Sequence, residues 1–364
     1  MKEPPQYAHD WFSPLRSTEV PAGKVTNFEF MGNELIAFRD EHGDVVVLDA
    51  HCPHFGAHMG HGGEAIDGCV RCPFHGLHYD KTGQCIKGDF VQDTTKLRHV
   101  KTQPWTVRET AASIFLWHGP DRAKPGRPFP IADDYFDGWT APVTNQGRLL
   151  KPTQLFYPTE NIVDIQHFYA IHGWQLNHVI RAPAADDDGR FSAILDMTWT
   201  LMAQSKSPVL RRLGKLVKST YVFNVAVAGP GIAFSEVEIH DSGGLKVRNI
   251  ILITPTNKTD CRIRVVASVR KGYGGKLNAA ARRVLGLGFE DALSRVLCEV
   301  ATKDFDGDEM VWTHRKFLER PRVLSEDGPV VEYRKWCQQF WPPDYLPEAP
   351  RPALSEQRPA ASSS

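Results

Sequence analysis

Alternation of apolar and polar residues dominates the first third of the chain. Val25–Phe30, Glu34–Phe38 and Val45–Leu48 each follow the two-residue period of a strand, with Gly32-Asn33 and His42-Gly43-Asp44 as the turns between them. Trp105–Val107 and Ser113–Trp117 read as two more strands, which completes a small all-β unit. Gly119–Pro130 then holds four prolines and two glycines, a composition that suits a connector and neither a helix nor a strand interior. Past it, Thr159–Gly173 carries a helical period. Ser192–Met202, Thr220–Ala228, Ile232–His240, Lys246–Thr254 and Arg262–Arg270 alternate like strands of one antiparallel sheet. Leu277–Phe317 predicts a long helix, weakened at Gly286, Gly288 and Gly307, and Pro347–Ser364 has the Pro/Ala/Ser composition of a disordered tail. The expected class is α+β: an all-β unit over residues 1–130 with its linker, a second domain over 131–346 with an antiparallel sheet and a long C-terminal helix, and a tail over 347–364.

Composition narrows the function classes. The 364 residues leave room for two domains, and 43 Lys+Arg balance 43 Asp+Glu, so no global basic field exists to hold nucleic acid. Seven cysteines are too few for a disulfide framework in a chain this long. The N-terminus has no apolar run of a secretion signal, and no stretch approaches the ~20 apolar residues of a membrane span, so a cytoplasmic setting without an integral membrane segment is expected. What departs from the ordinary is distribution. Six of the fifteen histidines and four of the seven cysteines fall between His51 and Cys85.

Within that stretch, Cys52-Pro53-His54-Phe55-Gly56 and Cys72-Pro73-Phe74-His75-Gly76 present a Cys-x-His pair and a Cys-x-x-His pair, with residues 55–71 between them. Two thiolates and two imidazoles brought together by facing loops suit a tetrahedral zinc site or a two-iron cluster with sulfur on one iron and nitrogen on the other. Spacing alone leaves both open. His51, His58, His61 and His78 read as loop or surface histidines. Cys69-Val70-Arg71-Cys72 imitates a redox pair, though Cys72 is better used as a ligand. A second constellation lies in Glu160–His172, where Asp164, His167 and His172 form D-x2-H-x4-H. Positions 164 and 167 share a helical face, whereas 167 and 172 are five apart and need a bend to converge. Two imidazoles and one carboxylate on one side of a metal leave positions open for dioxygen on non-haem Fe(II).

The first block resembles the Rieske [2Fe–2S] motif C-x-H-x17-C-x-x-H, and its continuation His75-Gly76-Leu77-His78-Tyr79-Asp80 is similar to the Rieske domains of ring-hydroxylating oxygenases. Respiratory Rieske proteins add two cysteines at positions that are Ala57 and Phe74 here, which points to the oxygenase branch and a more reducing cluster. The string E-N-x-x-D-x-x-H-x4-H resembles the mononuclear-iron motif of the same family, in the family's order along the chain. The resemblance implies Cys52, His54, Cys72 and His75 as ligands of a [2Fe–2S] cluster, and His167 and His172 as ligands of a mononuclear Fe(II). Asp308, four before Trp312, is implied as the third iron ligand, with Asp304 as the fallback one helical turn earlier. It makes Asn161 a site residue and Asp164 an electron-transfer bridge between His75 of a neighbouring subunit and His167, within a homotrimer. The implied fold is a Rieske domain followed by a helix-grip catalytic domain.

On that basis the implied activity is the oxygenase component of a Rieske system, using O2 and electrons from a separate flavin or ferredoxin-type reductase. No G-x-G-x-x-G lies between a strand and a helix in this chain. Gly328-Pro329 before Tyr333-Arg334-Lys335-Trp336, with Asp308-x3-Trp312, most resembles the group of ketosteroid 9α-hydroxylase, cholesterol 7-desaturase and aminopyrrolnitrin oxygenase. Monooxygenation of a sterol-like or polycyclic hydrophobic molecule is therefore expected, with arylamine N-oxygenation or desaturation as the alternative on the same iron. An electron carrier would leave some 200 residues unexplained, and a zinc-stabilised binding protein would lack the redox chemistry. Phe168, Tyr169, Trp174, Trp199, Tyr221, Phe223 and Phe234 are candidates to line the pocket. Arg211–Lys218 and Arg270-Lys271 are where an acidic ferredoxin or a membrane surface would dock peripherally, against the simpler account of a solvated face.

Overall fold

A computed structural model describes residues 3–151, 157–200, 218–242, 244–273, 283, 288–324 and 326–345. Ten short strands build the first unit. β1 (Asp10–Arg16), β10 (Ser113–His118) and β9 (Val107–Thr110) make one sheet, and β2 (Thr26–Phe30), β3 (Asn33–Arg39) and β4 (Val45–Asp49) make the expected meander. β5 (Glu64–Ile66), β6 (Cys69–Arg71), β7 (Leu77–Tyr79) and β8 (Cys85–Gly88) form a small four-stranded sheet. β1 and the four short strands β5 to β8 are ones the pattern did not announce, and the strand expected at Trp105–Val107 starts at Val107. Trp105 instead sinks into the core beside Phe30, with its indole N–H donated to Asp49 at 2.9 Å.

The second unit is one antiparallel sheet. Its order is β11 (Val143–Thr144), β18 (Cys261–Val269), β17 (Leu245–Pro255), β16 (Ile232–Ile239), β15 (Lys218–Gly229), β14 (Phe191–Thr200) and β13 (Gln175–Ala185), with β12 (Arg148–Leu150) also on β18. The five expected strands are β14 to β18. β13 escaped the pattern because it is an exposed edge strand, carries Pro183 and pairs with β14 through several register shifts.

Helices cover one face of this sheet. The helix expected over Thr159–Gly173 is two short ones, α1 (Tyr157–Glu160) and α2 (Ile165–Ala170), joined by i→i+3 turns at residues 161–164. The long helix expected over Leu277–Phe317 is α3 (Phe289–Asp304) and α4 (Asp306–His314), and most of its expected first ten residues lie outside the described ones. Gly307 is not the break. The interruption falls at Phe305, whose ring packs on Trp312 at 6.1 Å and against Val265, Ala267 and Cys298. α5 (Val330–Cys337) closes the helical layer. The tail at 347–364 and the basic run at 211–217 lie outside the described residues.

The two units share a core. Trp11, Phe115 and Trp117 pack with Ile232, Phe234, Ile250, Leu252 and Val266 in one buried cluster. Beside it, Ser13 N–H donates to Thr254 Oγ1 (3.1 Å), Thr254 donates back to the Ser13 carbonyl (2.9 Å), and buried Arg264 donates to the Ser13 and Pro14 carbonyls (3.1 and 2.7 Å). Burial lowers the Arg264 guanidinium to about 10, partly opposed by Glu19 at 3.3 Å. Asp10 lies at the same seam, so close to Gly229 that a Cβ there would collide with its carboxylate. Burial raises the Asp10 carboxyl to about 7 against the Trp11 N–H bond and the Arg127 charge, which lower it.

A carboxyl with a raised folded-state pKa keeps its proton longer in the folded protein than in the unfolded chain. Its contribution to stability is complete below the ordinary aspartate range and is lost as pH rises through about 7. Asp10→Asn should therefore melt close to the parent protein at pH 4 and increasingly above it towards pH 8, as thermal unfolding followed at several pH values would measure.

Candidate metal centres

The loop after β4 and the loop joining β6 to β7 are built alike. Cys52 N–H donates to the Ala57 carbonyl and Gly56 N–H to the Cys52 carbonyl, while Cys72 N–H donates to the Leu77 carbonyl and Gly76 N–H to the Cys72 carbonyl. Gly56 (φ +77°) and Gly76 (φ +62°) supply the left-handed residue that turns each loop back. The result places both cysteines in the buried core and both histidines outward, with the His54 and His75 rings 4.7 Å apart. Burial raises the Cys72 thiol, and its neighbour Cys52 adds to the rise, so two thiolates this close need a cation between them. His54 Nδ1 is buried without a hydrogen-bond partner, as expected of a nitrogen that binds metal. Donor set and burial fit a group held by two sulfurs on its inner side and two nitrogens on its outer side.

Tyr79 adds a feature that sequence spacing does not disclose. Its hydroxyl lies 2.9 Å from Cys52 Sγ inside the core, where donation to a ligand sulfur stabilises negative charge on that sulfur. All seven cysteines are free. Three of the four histidines read as bystanders flank the first loop or line its outer side: His51 joins Glu34 at 2.7 Å, and His58 lies edge-on to His51 and tilted against His61. The fourth, His78, is buried and not a surface residue: on β7, Leu77 and Tyr79 enter the core, and His78 between them lies 3.7 Å from Asp89.

The second centre gathers residues from both ends of the catalytic sheet's helical layer. Donor atoms of His167, His172 and Asp308 all lie within 4.8 Å of one another. The five-residue interval closes because α2 stops at Ala170. Ile171 N–H donates to His167, Gly173 N–H to Tyr169 and Trp174 N–H to Phe168, and Gly173 (φ +68°) reverses the chain so that His172 turns back on His167. α4 brings Asp308 in from the other side. Its Oδ2 lies 3.3 Å from His172 Nε2, while Oδ1 accepts from Asn161 Nδ2 at 2.9 Å. Asp304, at the end of α3, faces the opposite nitrogen, His172 Nδ1, at 3.4 Å. The two aspartates thus occupy different sides of one imidazole.

Electrostatics mark the place of a cation. Burial pushes His167 down to about 4, whereas the Asp304 and Asp308 carboxylates overcome the burial of His172 and push it up to about 9. His167 Nδ1 donates to the backbone carbonyl of Asp164, which fixes the tautomer and leaves Nε2 with its lone pair. This bond comes from the Asp164 main chain, not from the expected carboxylate. Burial raises the pKa of the Asp164 carboxylate, opposed by the backbone N–H of His167 and the Arg315 charge. Two imidazole nitrogens and one buried carboxylate form a donor set that suits a divalent iron ion.

Behind these groups stands an ion cluster. Glu160, 1% exposed, accepts from Arg334 Nε (2.5 Å), Arg334 Nη2 (3.0 Å) and Arg315 Nη2 (2.6 Å). It ties α1, the segment after α4 and α5 into one block next to Asn161. Of the seven candidate aromatics, Phe168, Trp174, Trp199, Tyr221 and Phe223 pack together between α2 and the sheet, with Phe168 and Trp174 stacked at 5.5 Å and Trp174 5.1 Å from His172. Tyr169 points to solvent, because α2 buries only its opposite face, and Phe234 belongs to the seam between the two units.

Residues 10–102 match the family profile described as the Rieske [2Fe-2S] domain, and residues 116–341 match the 3-ketosteroid 9alpha-hydroxylase C-terminal domain. The chain is 26% identical over 347 residues to cholesterol 7-desaturase nvd of Drosophila melanogaster, covering 93% of this chain and 76% of that protein. It is 25% identical over 363 residues to the oxygenase component of 3-ketosteroid-9-alpha-monooxygenase of Mycobacterium tuberculosis (strain ATCC 25618 / H37Rv), covering 93% and 83%. Among solved structures, NdmA of Pseudomonas putida CBB5 with caffeine matches with a TM-score of 0.65 at 16% identity over 91% of this chain and 90% of that one. Dicamba monooxygenase bound to dicamba matches at 0.59 and 18%, covering 91% and 96%. These two share the fold.

Gly307 lets α4 approach the turn after α2, since a Cβ there would meet Ile171 Cγ2 at 2.6 Å. Gly307→Ala should push Asp308 away from His172 and lower bound mononuclear iron several-fold. The visible and EPR signals of the first centre should persist, and metal analysis alongside those spectra checks both halves.

Proposed function

Because the chain belongs to the Rieske non-haem iron oxygenases, with a catalytic half of the 3-ketosteroid 9α-hydroxylase type, we propose that it is a terminal oxygenase that hydroxylates a sterol-like substrate. The observation that carries this reading is the His167, His172 and Asp308 triad set against the aromatic cluster of Phe168, Trp174 and Tyr221. Cys52 and Cys72 would hold the inner iron of the [2Fe–2S] cluster and His54 and His75 the outer one. His167, His172 and Asp308 would hold the mononuclear iron. Bound there, the two centres supply the electrons and the open coordination side for reductive activation of O2. The overall balance is RH + O2 + 2e− + 2H+ → ROH + H2O, with the electrons supplied by a separate flavin or ferredoxin-type reductase.

The chain's own groups orient and shield. Asn161 holds one oxygen of Asp308, so the other faces the metal position, and Asp304 holds His172 from behind. The aromatic cluster excludes water from the side where an apolar ring system would lie. Desaturation is the second reading, favoured by the relatives named as cholesterol 7-desaturases. Incubating the holoenzyme with a surrogate reductase, 18O2 and either a 3-ketosteroid or cholesterol should yield a product heavier by one 18O atom. A product lighter by two hydrogens and free of label would favour desaturation, and absence of turnover on any steroid would reject the substrate class.

Asp164 would join the two centres across subunits. In a homotrimer its half-buried carboxylate would accept from His75 of the partner subunit, while its carbonyl already holds His167. Asp164→Asn is expected to leave both metals bound and the cluster reducible by dithionite, with steady-state product formation lowered on the order of 100-fold. Wild-type turnover in that variant would remove the bridge.

A further inference from the structure

Within the aromatic cluster, among the described residues, one fully buried side-chain polar atom has no hydrogen-bond partner. Tyr221, on β15, is 6% exposed, and its hydroxyl oxygen is buried without a hydrogen bond. The strand's alternation directs Tyr221, Phe223 and Val225 toward α2, and Tyr221 sits between Met197 on β14 and Ile239 on β16. Its ring meets Trp174 edge-on at 5.9 Å, and Trp174 in turn meets His172 at 5.1 Å, so the hydroxyl stands two ring contacts from the iron triad. Burial raises the Tyr221 pKa, with Asp304 adding to the rise, so the hydroxyl keeps its proton and remains a donor.

Leaving such a hydroxyl unpaired in an apolar site is unfavourable, and phenylalanine would fill nearly the same volume without that cost. A ligand that brings an acceptor oxygen to this point recovers the cost on binding. We propose that Tyr221 is a specificity-determining residue whose hydroxyl donates to the single polar oxygen, ketone or alcohol, of an otherwise apolar polycyclic substrate, and so fixes which carbon lies over the iron. The inference rests on the sterol-like reading above and deepens it. An oxygen held at Tyr221 anchors one end of the ring system, and the rings lie across Trp174 and Phe168. A hydrocarbon of the same shape would enter the cluster without a fixed register.

The test uses the oxidised holoenzyme and two probes delivered from cyclodextrin: 5α-androstan-3-one and its deoxy counterpart 5α-androstane. Binding is read from quenching of tryptophan fluorescence, which needs no turnover. In Tyr221→Phe, affinity for the ketone should fall about 10- to 100-fold while affinity for the hydrocarbon stays within about threefold, the discrimination expected when a site built around a hydrogen bond loses it. Melting temperature should hold or rise, because a buried unpaired hydroxyl has been removed. Equal loss for both probes, or a fall of several degrees in melting temperature, would overturn the role of Tyr221 and leave the substrate class standing. Failure of both probes to bind the wild-type protein would overturn the substrate class and this inference together.

Discussion

A carboxylate as buried as that of Glu160 has to be paired, and the rest of the catalytic site is arranged around how it is paired. Removing a charge from water costs several kcal/mol, which only close, hydrogen-bonded counter-charges offset. Arg315 and Arg334 provide them from segments more than 150 residues further along the chain. Once that triad is formed, α1 cannot shift relative to α5 or to the end of α4. Asn161 follows Glu160 directly and grips Asp308, so the ion cluster sets the distance between the segment that carries the two histidines and the helix that carries Asp308. Loss of one guanidinium would leave an uncompensated charge and loosen the metal position without touching a ligand.

Legibility in the sequence followed the range of the interaction. The cysteine–histidine loops are local: each is closed by hydrogen bonds spanning at most five residues, and the motif contains nearly everything that shapes it. D-x2-H-x4-H is local too, although the string could not say that the helix ends at Ala170 and that a glycine folds His172 back. The choice between Asp304 and Asp308 was open because the two stand four apart on one expected helical face. Only the three-dimensional arrangement shows that they face different nitrogens of His172. Glu160 stood in the motif, but nothing in the string names its partners, and Tyr79 gave no signal that its hydroxyl meets Cys52. The edge strand β13 was hidden because a strand with one neighbour and solvent on both faces has little reason to alternate.

The two centres are protected differently, and the difference matches what each must do. At the first, the sulfur side is sunk in the core and the nitrogen side reaches outward past Phe55, Phe74 and Phe90, all exposed. Such an end can meet another protein surface. At the second, Asp308 is 2% exposed and the aromatic cluster packs directly against the two histidines, an arrangement for a reaction from which water must be kept. Zero formal charge over the whole chain is compatible with both, because the charges that matter are paired within a few ångströms.

The seam between the units sets a limit on how such proteins can be recombined. Gly119–Pro130 looks like a natural place to cut and exchange one electron-transfer unit for another. Yet Trp11, Phe115 and Trp117 are packed into the catalytic sheet, and Ser13 and Pro14 satisfy Arg264, a guanidinium with almost no access to solvent. A transplanted unit that lacked these residues would strand that cation and open a void in the shared core. Modularity in this chain is therefore a property of its chemistry and not of its stability: the electron donor is a separable function carried on an inseparable half of the fold.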